Sequence, residues 1–260
     1  MSDFSSQRIQ WMRCWCCFLA LSLTMVAGNA LGVTILSHYG AANPESEGWE
    51  PDLGIGTAVT TVGPIFGDGG QDAWFVSDNV RSTSGSSDGY WGTLTAEQKT
   101  IADAQGWRFQ SRLRVANPGD DGFGSVAIYY FDGTTQWLLD FESSQAGEQI
   151  VTAVNAGDFT GISYNTHSLG YHLFEMVYDP NSHTADVFVD GVERISGWAG
   201  IPNPIQTGRF KFGSASSPDD GQGNYNMVEF NVVPVPSTIL LLGSGVTGLA
   251  WIQLVRKKKQ

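Results

Sequence analysis

The chain has 260 residues, of which 42% are hydrophobic, 12% aromatic and 15% charged, and it contains 32 Gly. This composition is typical of a globular protein rich in turns, and it excludes an intrinsically disordered chain. Residues 31–238 contain 8 Lys and Arg against 25 Asp and Glu, which leaves a net charge of −17. Because a field of that sign repels phosphate backbones, we expect no nucleic-acid partner.

The N-terminal segment has the layout of an export signal. Arg8 and Arg13 precede an apolar run, residues 14–27, and small residues flank a possible cut after Ala30. A basic region, an apolar region and a small-residue cleavage site in this order predict a secretory signal peptide at residues 1–30. The alternative, a buried N-terminal helix, is disfavoured because the apolar run has no polar face.

All three cysteines, Cys14, Cys16 and Cys17, lie inside this segment. A product cleaved after Ala30 therefore has no thiol. Disulfides, cysteine metal sites and a cysteine nucleophile are excluded for that product, and so is lipid attachment at the cut.

The C-terminal segment is first apolar and then basic. Residues 239–255 carry no formal charge, and as a helix they would be about 25 Å long, close to the thickness of a bilayer core. The cations that follow would hold this end in the cytoplasm. They are Arg256, Lys257, Lys258 and Lys259. We therefore expect a transmembrane helix at 239–255 with the body outside the inner membrane; a buried core helix is the alternative.

Residues 234–260 resemble the PEP-CTERM sorting signal, in which a Pro-Glu-Pro motif, an apolar helix and a basic cluster follow one another. The motif, residues 234–238, contains Pro234, Val235, Pro236 and Ser237, with Val235 where the family usually has Glu. The resemblance implies a Gram-negative bacterial protein that is exported, anchored for a time and then cut near the motif by an exosortase. It also implies a product on the surface or outside of cells that make extracellular polysaccharide.

Residues 31–233 show the alternation of β-strands. In residues 107–115, "WRFQSRLRV", the odd positions from Phe109 to Val115 share one face and the polar even positions share the other. Short runs of this kind, separated by Gly, Asp, Asn and Pro, predict one all-β domain. Asp190-Gly191 predicts a tight hairpin turn in which both residues have positive φ.

One helix is expected within this domain. Thr95 and Gln98 form a capping-box pattern, and Gly106 is placed to end the helix about three turns later.

The stretch from Gly170 to Gly200, "GYHLFEMVYDPNSHTADVFVDGVERISGWAG", resembles concanavalin A-like and laminin G-like jelly rolls. The resemblance implies an antiparallel jelly-roll sandwich over residues 31–233. It does not select a function, because this architecture hosts lectins, glycoside hydrolases and structural modules.

The sequence lacks the common signatures of hydrolases. It has no Glu-x-Asp-x-x-Glu pattern for a retaining glycosidase, no Gly-x-Ser-x-Gly elbow and no metal-ligand spacing among its 4 His. Glu175 is the remaining candidate for an interior catalytic acid, and a structural partner such as Arg112 or Arg114 would explain it equally well. We therefore predict no catalytic residues and no enzyme activity.

Calcium is the metal that the composition favours, since oxygen ligands abound and sulfur ligands are missing. Asp219 and Asp220 lie in a Gly-rich segment and are candidate ligands, as are Asp120 and Asp121. The alternative is that all four are solvated loop acids and that the protein has no cofactor.

Two tryptophans are candidates for contact with a glycan, because sugar C–H faces pack against flat aromatic rings. Trp91 and Trp198 lie in Gly- and Ser-rich stretches and are predicted to be exposed. Each could instead fold back to cap the core.

Together these observations predict an exported surface or extracellular protein whose β-sandwich binds glycan or contributes to a polysaccharide matrix. One alternative is a divergent polysaccharide hydrolase or lyase. A second alternative is a calcium-dependent adhesion module.

Overall fold

A computed structural model gives the fold of residues 32–53, 61–78, 88–117, 126–143, 148–155, 161–204, 207–214 and 221–232. The predicted signal peptide at 1–30, the sorting signal at 234–260 and the predicted calcium ligands Asp219 and Asp220 lie outside these residues. Within the described part of the chain, no helix is both long enough and apolar enough to cross a membrane.

The described residues form two sheets, and the first of them, sheet A, has eight strands that pair antiparallel. Its strands are β1 (Val33–Tyr39), β3 (Thr61–Asp68), β4 (Gln71–Asp78), β6 (Trp107–Asn117), β11 (His172–Asp179), β12 (Thr184–Val189), β13 (Val192–Trp198) and β16 (Gly221–Val232). Across the sheet they follow the order β13-β12-β11-β6-β16-β4-β3, and β1 also pairs with β16. Strand β6 therefore lies near the middle of the sheet.

The second sheet, sheet B, also has eight antiparallel strands. They are β2 (Glu50–Leu53), β5 (Asp88–Thr93), β7 (Ala127–Asp132), β8 (Thr135–Ser143), β9 (Gln149–Val154), β10 (Gly161–Asn165), β14 (Ile201–Pro202) and β15 (Thr207–Gly213). Their order is β10-β9-β8-β7-β15-β5-β2, with β14 beside β8. Two such sheets fit the predicted jelly-roll sandwich.

The core forms between the inner faces of the two sheets, as the alternation in β6 predicts. Phe109, Ser111, Leu113 and Val115 are buried, while the even-numbered residues between them are partly exposed. Aromatic rings from opposite sheets meet there: the Phe210 and Phe230 rings stack with their centroids 4.4 Å apart. Burial of one such ring contributes about 1.5–3 kcal/mol to folding.

The predicted helix is confirmed as α1 (Ala96–Gln105). The Thr95 hydroxyl accepts from the Gln98 N–H at 3.2 Å, and the Gln98 side chain accepts from the Thr95 N–H at 2.9 Å. Gly106 ends the helix with φ of 93°, and a Cβ there would lie 2.6 Å from the Tyr178 carbonyl oxygen. The position therefore requires glycine for both its conformation and its space.

The predicted hairpin turn between β12 and β13 is confirmed as well. Asp190 and Gly191 have φ of 52° and 76°. The Asp190 carboxylate accepts from the Leu173 N–H at 3.0 Å and hydrogen-bonds His172 Nδ1 at 2.7 Å, so the turn is tied to β11.

The carboxylate of Asp68 joins four segments of sheet A. It accepts hydrogen bonds from Arg114 Nε at 2.8 Å, from the Tyr171 hydroxyl at 2.8 Å and from Asn224 Nδ2 at 2.7 Å. These donors lie on β6, just before β11 and on β16, whereas Asp68 ends β3. The end of the β3–β4 hairpin is thereby fixed to the centre of the sheet.

We predict that Asp68→Asn lowers the free energy of unfolding by about 2–3 kcal/mol, because it leaves the Arg114 guanidinium without its carboxylate. Urea denaturation measures this loss. The matched control is Asp103→Asn, which breaks the exposed Lys99–Asp103 pair on α1 and is expected to cost less than about 0.5 kcal/mol. Equal losses for the two variants would contradict the role given to Asp68.

The same carboxylate makes this stability depend on pH. Burial raises the pKa of Asp68, but the hydrogen bonds from Tyr171, Asn224 and Arg114 outweigh burial and hold the pKa below 3.8. A carboxyl whose pKa is lowered on folding stabilises the native state above its unfolded pKa, and this contribution is lost as the pH falls. The advantage of wild type over Asp68→Asn should thus begin to shrink as the pH falls below about 5 and continue to shrink below 3.8; a constant difference would contradict it.

Candidate functional site

Trp91 does not lie in an exposed loop. It is part of β5 and is 7% exposed. Its indole N–H donates to Asp52 Oδ2 at 2.7 Å, and the Cζ atom of Arg209 lies 4.1 Å from its ring centroid. The prediction of an exposed ring at Trp91 is therefore wrong, because the strand holds the indole among its neighbours and a guanidinium covers it.

A buried Lys211 and a partly exposed Asp52 form an ion pair beside this ring. The Lys211 ammonium lies 2.9 Å from Asp52 Oδ2 and 5.0 Å from the Trp91 centroid, and Lys211 is fully buried. Burial raises the pKa of Asp52, but Lys211 and the Trp91 N–H outweigh burial and leave the pKa below its ordinary value. The charges of Lys211 and Asp52 thus neutralise each other.

The outer face of sheet B, the one turned away from the core, is closely packed. It carries a second apolar cluster of buried residues: Trp91, Ala127, Tyr129, Phe131, Leu138 and Val154. Two buried polar residues share this face, since Lys211 pairs with Trp91 and Asp140 pairs with Ala127. Among the described residues of the cluster, no aromatic ring is open to a sugar.

Trp198 belongs to the main core. It is 2% exposed, its N–H donates to the Val154 carbonyl oxygen at 3.0 Å, and its ring lies edge-on to Trp137 with centroids 5.4 Å apart. The prediction of an exposed loop Trp198 is wrong because β13 extends through this residue and turns the side chain inward.

The arginine and lysine side chains differ in whether a carboxylate neutralises their positive charge. Seven of the eight cations between residues 31 and 238 are described. Five of the seven have a carboxylate within 4.0 Å: Lys99, Arg108, Arg114, Arg209 and Lys211. Within the described ranges, Arg112 and Arg194 have no such partner. Of the seven described cations, these two guanidinium groups are therefore the most available to an anionic ligand.

Arg112 lies on the outer face of sheet A, in a row of side chains from four neighbouring strands. Its directly paired residues are Met227 on β16 and Leu173 on β11, and Met227 pairs with Tyr39 on β1. Directly paired residues project to the same side of a sheet. We call Tyr39, Met227, Arg112 and Leu173 the Arg112 row.

The Arg112 row is accessible. Tyr39 is 52% exposed, and Met227, Arg112 and Leu173 are partly exposed. The Arg112 Nε atom donates to the neutral Gln71 Oε1 at 2.9 Å, which holds the side chain without cancelling its charge. The row therefore combines a fixed cation, an exposed aromatic ring and an apolar side chain between them.

Asp190, in the turn after β12, is an acid that interacts electrostatically with Arg112. Burial raises its pKa, whereas hydrogen bonds from His172 and the Leu173 N–H, together with the charges of His172 and Arg112, leave the pKa below its ordinary value. Asp190 is thus ionised at neutral pH, but it is engaged with His172 and the turn and makes no ion pair with Arg112.

Two glutamates flank Gln110 in the next row of the same face. Glu175 on β11 and Glu229 on β16 both pair with Gln110, so their Cα atoms are about 10 Å apart across the sheet. Arg108 Nη1 lies 3.6 Å from Glu175, and Gln110 Nε2 donates to Glu229 at 2.5 Å. Glu175 thus has a structural partner, Arg108, which differs from the Arg112 or Arg114 that the sequence suggested.

Metal binding is not visible in the described ranges. They contain no group of three or more His, Cys, Asp or Glu residues placed to hold a metal ion. The candidate calcium ligands Asp120, Asp121, Asp219 and Asp220 lie outside those ranges, so calcium binding there stays a prediction.

Sequence comparison finds one matching family profile and two related sialidases. The profile of the family described as "Vibrio cholerae sialidase, lectin insertion" matches residues 75–235, more than half of the chain. The sialidases of two Vibrio cholerae O1 strains are each 24% identical over 192 residues, covering 69% of this chain but only 23% of the sialidase. The chain thus spans about a quarter of the length of these relatives.

A solved structure agrees on the fold. The carbohydrate esterase of Shiga toxin-encoding bacteriophage phi24B superposes with a TM-score of 0.51 at 13% identity, covering 77% of this chain and 99% of the esterase. At that identity the likeness is one of fold alone. The family match, in contrast, is a match of sequence. It includes β6, which carries Arg112, and the neighbouring strands β11 and β16. The chain belongs to the family of the Vibrio cholerae sialidase lectin insertion.

Proposed function

We propose that this chain is an exported, non-catalytic β-sandwich that binds a carboxylate-bearing glycan on the outer face of sheet A, with Arg112 as the anchor. The observation that carries the proposal is the Arg112 guanidinium, partly exposed and without a carboxylate partner among the described residues. Family membership supports glycan binding, because the family is described as a lectin insertion of a sialidase.

The chemistry of Arg112 suits such a ligand. A guanidinium offers two parallel N–H donors to one carboxylate, which adds both strength and orientation. The Nε atom is already engaged by Gln71, so the terminal nitrogens Nη1 and Nη2 remain to make this contact. A local, uncompensated cation also attracts an acidic sugar to a body whose net charge would otherwise repel it.

The rest of the Arg112 row suits the sugar ring. Tyr39 and Arg112 are two strands apart, about 10 Å across the sheet, with Met227 between them. A ring held at Arg112 by its carboxylate would lie over Met227 and extend toward the exposed Tyr39. Aromatic and apolar surface beside a few polar groups is the usual composition of a sugar site.

The proposal includes sorting to the cell exterior. The segments that motivate it are the predicted signal peptide, residues 1–30, and residues 234–260 with their resemblance to PEP-CTERM signals. An exosortase would release the sandwich from the inner membrane, and the glycan would then be an extracellular polysaccharide. No cofactor forms part of this proposal.

A second candidate function, polysaccharide hydrolysis, has one observation in its favour. Glu175 and Glu229 flank Gln110 on the outer face of sheet A with about 10 Å between their Cα atoms. Inverting glycosidases also use two carboxylates on one face, with the carboxyl groups about 6.5–9.5 Å apart. Both carboxylates have structural partners, and we therefore rank this function second.

We predict that Arg112→Gln weakens binding of sialyllactose at the Arg112 row at least tenfold, about 1.4 kcal/mol, because the carboxylate loses its bidentate partner there. Titration calorimetry on the full-length protein measures the change. Lys99→Gln is the matched control, since it removes one positive charge from α1, outside the row. Neutral lactose and trigalacturonate, used as further ligands, separate a requirement for the carboxylate from a requirement for sialic acid. An Arg112→Gln titration equal to that of wild type in both affinity and number of sites would contradict the site.

The mass and location of the native protein test the proposed export and cleavage. The protein isolated from its own cells should lack residues 1–30 and the segment after the motif at 234–238, and it should be found outside the inner membrane. A variant that ends at residue 233 should be released without exosortase. An intact C-terminus retained in the membrane would contradict release.

Catalysis is tested separately with acidic and neutral polysaccharides. We expect no release of reducing ends above the background of the Glu175→Gln/Glu229→Gln variant. Turnover by wild type that this double variant abolishes would replace the binding proposal with the hydrolase.

A further inference from the structure

Arg194 is the second guanidinium that has no carboxylate partner among the described residues. It lies on β13, the edge strand of sheet A, and its Cζ atom is 4.5 Å from the ring centroid of Tyr164 on β10, the edge strand of sheet B. The two edge strands contact each other along one side of the sandwich. We call Arg194, Tyr164 and the exposed residues beside them the lateral seam.

The stacking holds Arg194 in place while it leaves the charge available. Tyr164 is partly buried and packs against the core, so the ring is a fixed support. Arg194 itself is exposed. A guanidinium stacked on an aromatic face keeps its N–H edge free for a planar anion, because the stacking uses only the face of the group.

Apolar surface adjoins this cation. Val192 is 49% exposed and lies two residues from Arg194, and Ile162 is 48% exposed and lies two residues from Tyr164. These are two of the few large apolar side chains that the described residues expose. The seam therefore repeats the chemistry of the Arg112 row: a positioned guanidinium, an aromatic ring and exposed apolar surface.

The seam and the Arg112 row are separate places. Strands β11 and β12 lie between β6 and β13, which puts Arg112 and Arg194 about 14 Å apart across the sheet. Arg112 projects from the outer face, whereas Arg194 reaches over the ring of a residue in the other sheet. One sugar carboxylate cannot contact both guanidinium groups.

We infer that the lateral seam is a second binding site for a carboxylate-bearing glycan, so that one copy of the chain holds two acidic glycan segments at once and cross-links polymer chains. This inference rests on the proposed function of the Arg112 row. It gives the matrix role a mechanism: each site alone binds weakly, and the two together bind a polymer with an avidity that neither site has.

The first test counts the sites with monovalent sialyllactose. On the full-length protein we expect two sites for wild type, one for Arg194→Gln, one for Arg112→Gln and none for the double variant. One site in wild type, lost in Arg112→Gln and unchanged in Arg194→Gln, would overturn the seam and leave the proposed function intact. No binding by wild type would overturn both.

The second test uses polysialic acid and dynamic light scattering. Wild type and the control Lys99→Gln should form assemblies several-fold larger than the polymer alone, and both single-site variants should bind the polymer without assembling it. Added salt should disperse the assemblies, since the contacts are ion pairs. Arg194→Lys keeps the charge but lacks the planar fork, and we expect it to assemble polymer less well than wild type. Assembly by Arg194→Gln equal to that of wild type would overturn the inference.

Discussion

The division of strand β6 into two faces is the constraint on which the rest of the molecule depends. Its odd-numbered residues from Phe109 to Val115 enter the core between the sheets, and its arginines face outward. A shift of one residue in its pairing would bury those arginines and expose the core side chains. The long contacts of β6 with β16 and β11 fix the register. The same pairing that stabilises the core therefore aligns Arg112 with Met227 and Leu173.

The three arginines on the outer face of β6 differ in their partners. Arg114 is committed to Asp68 and Arg108 to Glu175, whereas Arg112, between them on the same strand, has only the neutral Gln71. A structural role for all three arginines would predict an acid beside each one, and the chain has acids in excess. Arg112 is the exception. It lies on an accessible face in the same row as the exposed Tyr39, and this arrangement suits a ligand with a carboxylate.

Features set by neighbouring residues were predictable from the sequence. The capping box of Thr95 and Gln98, the turn at Asp190-Gly191 and the alternation in β6 each depend on side chains a few residues apart. The exposure of Trp91 and Trp198 was not predictable in this way. Glycine and serine beside each tryptophan suggested loops, but the strands continue through both positions, and the partners that bury them, such as Asp52 and Val154, are distant in sequence.

The Arg112 row could not be read from the sequence for a related reason. Tyr39 and Met227 are brought together by the pairing of the first and last strands of the sandwich, and no local pattern specifies that register. The excess of acids was visible in the composition, but the partners of each described cation were needed to show that Arg112 and Arg194 lack a carboxylate partner among the described residues.

The most direct measurement of the central claim is the change in backbone amide NMR shifts when sialyllactose is added to the labelled protein. The account predicts that the largest changes fall on β6 and β16 around Arg112 and Met227 and on β1 at Tyr39. Changes confined to β5 and β15 around Trp91 and Arg209, or no changes at a saturating concentration, would contradict it.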